Sequence, residues 1–176
     1  MTVLIDVIID SEAWSACADL SELTERVVAQ SLATSGARLA PNAELCVTFC
    51  DDEQIRALNA EWRRKDKATN VLSFPTPGAL ARKSLLGDIV IAYETVAREA
   101  EEQGKTLPDY VAYMIAHGFL HLIGYDHETA ADAEVMEALE RRIAEALFIG
   151  DPYEGTHPIE DDADIDAPKE VHVDET

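Results

Sequence analysis

The 176-residue sequence predicts a single α/β (α+β) domain, a small mixed four-stranded sheet packed with about five helices. Three observations point there. Four short runs rich in β-branched residues alternate with segments of helical apolar spacing. Apolar residues make up 47% and charged residues 28%, which supports a core and excludes wholesale disorder or a repeat fibre. No internal repeat is visible, and no apolar stretch reaches the ~18 residues that a membrane span needs.

Each element has its own signal. Residues 2–10 contain VLIDVII and read as the first strand. Residues 11–36 follow with helically spaced Trp14, Leu20, Leu23, Val27, Val28 and Leu32, and Gly36 is the stop. ELCVTFC, at Glu44–Cys50, is the second strand. Asp51 with Gln54 resembles a capping box that opens a helix through Ile55, Leu58 and Trp62. TNVLSF, at 69–74, is the third strand, and Pro75, Pro77 and Gly78 turn the chain into a loop. LGDIVIA, at 86–92, is the fourth. Residues 93–103 form a helix closed by Gly104. Pro108 opens the next helix, which runs to about Ile123, and a last helix spans roughly 129–148 from a start signal at Thr129 and Asp132.

Charge divides the chain unevenly. There are 35 acidic and 14 basic residues, a net −21. Residues 150–176 hold ten acids against one base (Lys169), so −9 falls on this short segment and −12 on residues 1–149. The domain is therefore expected at 1–149, followed by an acidic, disordered, solubilising tail. Bulk charge this negative argues against non-specific nucleic-acid binding and against anionic membranes, so an RNA function requires a local basic site. Cys17, Cys46 and Cys50 make no disulfide framework. The amino terminus has no basic lead-in and no small-residue cleavage site. A cytoplasmic protein with reduced thiols is expected.

The chemistry concentrates in AHGFLHLIGYDHE, residues 116–128. His117 and His121, four apart on a helix, share one face. Gly124 can end that helix, and the short turn after it can fold His127 back towards the first two. Three neutral imidazoles then occupy three corners of a tetrahedron, the open arrangement of catalytic zinc. The spacing is that of the metzincin peptidases, H-E-x-x-H-x-x-G-x-x-H, with one departure. Gly118 stands where the peptidases carry the glutamate that activates the metal water, so nothing at that position moves a proton.

Other features are weaker. Asp126 reads as a turn residue or an orienting group, and Asp88 as structural support or positioning. Asn70 and Ser73 read as groups that satisfy loop backbone or touch substrate. Cys46 and Cys50 share a strand face and belong to packing. Trp14 and Trp62 read as core or rim, and His157 and His172 as tail residues without a role.

With its neighbouring segments, the histidine block resembles the YbeY family of bacterial endoribonucleases, or rRNA maturation factors. The matching stretches are LN at 58–59, WR at 62–63, KDK at 65–67, TNVLSFP at 69–75, LGDI at 86–89 and HGFLHLIGYDH at 117–127. Ala68 stands where the family often has proline. The resemblance implies a zinc-dependent, single-strand-specific endoribonuclease, with one ion per chain on His117, His121 and His127. It implies action in 16S rRNA 3′-end maturation and ribosome quality control. It also implies contacts with a small-subunit ribosomal protein and an Era-type GTPase. Arg63 matches the family's functional arginine and lies in RRKDK, the one dense basic run, so Arg63, His117 and His121 are the expected catalytic residues. A guanidinium grips two phosphate oxygens at once, whereas Arg64, Lys65 and Lys67 can equally complement a helix dipole. Two other readings remain: a non-catalytic ribosome-assembly factor with a structural metal, which the acidic balance favours, and a metallopeptidase, which Gly118 disfavours.

Overall fold

A computed structural model describes residues 3–153. The strands are β1 (Leu4–Ile9), β2 (Glu44–Cys50), β3 (Val71–Pro75) and β4 (Leu85–Ala92). The helices are α1 (Leu20–Ser35), α2 (Asp52–Arg63), α3 (Tyr93–Glu102), α4 (Leu107–Leu122) and α5 (Ala130–Ala146). The sheet runs β1-β2-β4-β3, with β1, β2 and β4 mutually parallel and β3 antiparallel to β4. It is the mixed four-stranded sheet with five helices that the sequence predicts.

Strand alternation divides the core. One sheet face carries Val47, Phe49, Val71, Ile89 and Ile91 into the main core beneath α1, α4 and α5. The opposite face carries Cys50, Leu72, Val90 and Ala92 into a smaller cluster closed by Ile55 of α2. Helix α4 is central. Every residue from Tyr110 to Leu122 is buried, because α4 packs on β3 and β4 and also touches α1, α3 and α5. A helix apolar on all sides belongs in such a place. Asp51 caps α2, its Oδ1 accepting from Gln54 N at 2.8 Å.

The structure corrects one expected element. Residues 11–36 are not one helix but a 3₁₀ turn (Glu12–Ala16), a break, and then α1. The Trp14 indole donates to Cys50 O at 2.8 Å, which fastens the turn to the end of β2. Asp19 takes a left-handed backbone (φ 53°), and the chain changes direction there before α1 begins. Periodicity alone does not register a break whose cause is a contact 36 residues away. Strand β3 also extends through Pro75, which an edge strand tolerates because one side of its ladder is unpaired.

Among the described residues no helix is long and apolar enough to cross a membrane. Cys17, Cys46 and Cys50 are free thiols. Of the expected acidic tail only residues 150–153 are described; residues 154–176, with His157 and His172, lie outside the described residues.

Candidate metal centre

Helix α4 sets two imidazoles on one face, and its ending places the third. Thr106 caps the start of α4, accepting from Asp109 N, with Pro108 in the first turn. At the other end Tyr125 N donates to Leu120 O at 3.0 Å and Gly124 N to His121 O at 3.1 Å. This wrap requires the positive φ of Gly124 (108°). It folds the chain back so that His127 faces the helix.

The three rings form a cluster. Centroids stand 4.7 Å apart for His117 and His121, 5.0 Å for His121 and His127, and 5.6 Å for the stacked pair His117 and His127. One ligand nitrogen from each lies within 4.8 Å of the others. On a tetrahedral ion with bonds of about 2.05 Å, such nitrogens stand about 3.3 Å apart, so shifts of roughly an ångström gather them.

Protonation suits the same role. Burial drives the His117 imidazole down to about 3, helped by charge on His127. Burial, then His117 and His127, push His121 well below its ordinary value, against the opposing pull of Asp126 and the Tyr125 backbone. Both rings are therefore neutral at pH 7, the form that ligates metal. The Nε2 atoms of His117 and His127 are buried without a hydrogen-bond partner. A buried polar atom left so costs about 1–3 kcal/mol unless something binds it. Three imidazoles that aim nitrogen donors into one small space fit a divalent cation such as zinc.

Gly118 has a packing reason. A Cβ there would come 2.8 Å from Ile89 Cγ2 and 3.2 Å from Ser73 Oγ. The helix lies so close to the sheet that any side chain after His117 would press on Ile89 and force helix and sheet apart. Ser73 Oγ donates to Gly118 O at 3.1 Å, which seals the contact. The glutamate of a zinc peptidase would carry this steric cost at the same position.

Sequence reasoning missed two residues at the site. Glu140 of α5 is buried and meets His117 Nδ1 with Oε2 at 2.5 Å, while its Oε1 accepts from the Tyr153 hydroxyl. Burial raises the Glu140 carboxyl to about 8. A cation on Nε2 would favour the carboxylate, because Nδ1 then keeps its proton and donates it. The sequence does carry a signal for Glu140: Met136, Leu139, Glu140, Ile143 and Ala144 make the buried stripe of α5, with an acid at an inward position. Tyr153 gives no signal beyond being an aromatic in an acidic segment.

The remaining residues are placed as follows. Arg63 is the last residue of α2, and its Nη1 donates to Asn59 Oδ1 at 3.3 Å. Neighbouring Trp62 is 52% exposed and leans edge-on against Phe74 of β3, whereas Trp14 is buried. Asp126 Oδ1 accepts from Glu128 N within the turn. Asn70 Oδ1 accepts from Val71 N and its Nδ2 donates to Glu99. Asp88 sits on β4 opposite Cys46 and Phe74, its carboxyl raised chiefly by burial.

A family model described as Endoribonuclease YbeY matches residues 8–148. A relative named Endoribonuclease YbeY from Methylocella silvestris is 56% identical over 154 residues, 88% of each chain. Another of that name from Chelativorans sp. is 47% identical, covering 85% of this chain and 92% of its own. The solution structure of TM1509 from Thermotoga maritima shares the fold, with a TM-score of 0.51 at 22% identity, over 86% of this chain and 99% of that one. The match runs from the end of β1 through the other three strands, all five helices and the three histidines, and the chain belongs to the YbeY endoribonuclease family.

Proposed function

We propose that this chain is a zinc-dependent, single-strand-specific endoribonuclease of rRNA, acting in 16S rRNA 3′-end maturation and ribosome biogenesis. One observation carries the reading: three imidazoles converge within 4.8 Å in a chain whose relatives are named endoribonucleases. His117, His121 and His127 hold one ion. When bound, it supplies Lewis-acid polarisation of a phosphoryl oxygen and a water of lowered pKa. Neutral His117 and His121 keep their lone pairs available as ligands, and the buried helix excludes competing water behind them. Arg63 grips the scissile phosphate, adding the charge that a single ion leaves short. Exposed Trp62 beside RRKDK offers a ring face next to cations, which suits an unpaired base.

A small-subunit ribosomal protein and an Era-type GTPase belong to this reading as partners, and the cytoplasm as its compartment. Three free thiols accord with a reducing environment. The domain of this reading is residues 1–149; residues 150–153 of the acidic segment pack against it through Pro152 and Tyr153.

A second reading, an assembly factor with a structural metal, draws on the net charge of −21, which suits basic ribosomal proteins better than RNA. Labelled single-stranded RNA and casein, each incubated with and without chelator, separate the readings. Chelator-sensitive cleavage of RNA alone is expected. Unfolding on chelation without any cleavage supports the assembly factor, and casein cleavage supports a peptidase.

A further inference from the structure

Glu140 is a carboxyl group with no solvent and two hydrogen-bonding partners. Its side chain is wholly buried, Oε2 faces His117 Nδ1 at 2.5 Å, and Oε1 takes the Tyr153 hydroxyl. A buried acid is costly to keep, and a leucine there would satisfy the packing without that cost. Its geometry resolves one ambiguity at the site. An imidazole has two nitrogens, and which one faces a cation depends on what holds the other. With Glu140 engaging Nδ1, His117 turns Nε2, buried and without a hydrogen-bond partner, to the space shared with His121 and His127, and a cation there would make Nδ1 the donor.

Tyr153 is held in turn from three sides. Arg141 lies over its ring at 5.0 Å and pairs with Asp151 at 3.5 Å. Tyr153 N donates to Asp151 Oδ1 at 2.8 Å, and Lys105 Nζ donates to Pro152 O at 3.2 Å. The Tyr113 ring stands between Tyr153 and His117, at 6.0 and 6.1 Å. Residues 149–153 thus cross from the end of α5 to the start of α4 and close behind the histidines.

We propose that Glu140 and Tyr153 are positioning residues: hydroxyl, carboxyl group and imidazole form one chain that locks His117 with Nε2 inward, so the segment after α5 sets the metal affinity of the site. This rests on the three histidines binding a divalent ion, as proposed above. A carboxylate donates electron density through the imidazole, and loss of such a partner lowers metal affinity about 10–100-fold.

The test measures zinc affinity of the full chain by competition with a chromogenic chelator, for wild type, E140Q, E140L and Y153F. The amide that E140Q introduces still accepts from Nδ1 but carries no charge, whereas the alkyl group of E140L accepts nothing. The expected order is wild type tightest, E140Q about 10-fold weaker and E140L weaker still, with Y153F several-fold weaker than wild type. The cobalt-substituted forms should show altered visible absorption in the same order, because the coordinated ring is no longer held at one angle. If Glu140 and Tyr153 served packing alone, E140L and Y153F would change the melting of metal-free protein and leave affinity and spectrum as in wild type; that result overturns the proposal. Wild type that takes up neither zinc nor cobalt overturns the metal reading itself, and this inference with it.

Discussion

Gly118→Ala should destabilise the protein, although the same change in an uncrowded helix interior does the reverse. Alanine gains about 0.8–1.0 kcal/mol of helix propensity over glycine. At position 118 the new methyl would stand 2.8 Å from Ile89 Cγ2, 3.2 Å from Ser73 Oγ and 3.4 Å from Ile89 Cδ1. Ile89 is fully buried in β4, and its Cγ2 is a branched methyl rather than the free end of a flexible chain. Helix and sheet must therefore separate, and overpacking of this kind costs about 1–3 kcal/mol. The net is a loss of about 1 kcal/mol, a fall in Tm of roughly 2–4 °C for a domain this size. An open site would instead give a gain of similar size, so the sign decides. Thermal and urea unfolding of metal-free wild type and G118A measure it, with metal removed because a bound ion adds its own stability. In a double-mutant cycle with Ile89→Ala, the two changes should couple favourably by at least about 1 kcal/mol, since the smaller residue vacates the space the methyl enters. A G118A protein as stable as wild type, or more so, refutes the close-packing explanation for the missing glutamate.

Four further outcomes are expected. Arg63→Ala should retain its zinc and its fold but cut RNA more slowly by about 10²–10³-fold, the usual loss when one preorganised charge donor is removed; undiminished cleavage would take Arg63 out of the mechanism. His127→Ala should bind zinc far below one equivalent by metal analysis while keeping its helical circular dichroism, because His127 lies beyond α4 and is only half-buried; full retention of zinc would exclude it as a ligand. Thiol labelling of the folded protein at pH 8 should modify Cys46 first and spare Cys50, whose thiol is pushed up to about 12, by burial first and then by Asp51. A raised pKa leaves almost no thiolate at pH 8, so labelling of Cys50 should emerge only as pH approaches about 12 or the protein unfolds. Trp62→Ala should weaken single-stranded RNA binding by about 1–3 kcal/mol, read as the anisotropy of a labelled oligonucleotide; in wild type RNA should quench exposed Trp62 and leave buried Trp14 unchanged, and unaltered affinity of the variant would remove Trp62 from the RNA surface.

Much of the site is legible in the sequence because its signal is local. The positions of His117, His121, Gly124 and His127 encode a helix face and a fold-back turn within eleven residues, and the structure contains both. The caps at Asp51, Thr106 and Thr129 are also short-range, each accepting from the amide three residues on. What escapes is tertiary. The break before α1 depends on the Trp14 indole finding Cys50 O across the molecule. Gly118 is visible as a departure from the peptidase motif, but its cause, Ile89 pressed against α4, lies on a strand 29 positions earlier. Glu140 stands out as an acid in an apolar stripe, yet nothing in the sequence says that its partner is His117. Composition places Tyr153 in a charged segment, and composition does not see one aromatic docking on a buried carboxylate.

The most direct test of the metal centre is X-ray absorption on purified full-length protein after metal analysis. One zinc per chain, with three imidazole nitrogens at about 2.0–2.1 Å and a light-atom ligand completing the shell, is the predicted result. A protein that stays metal-free after incubation with zinc, or a shell containing cysteine sulfur, contradicts it.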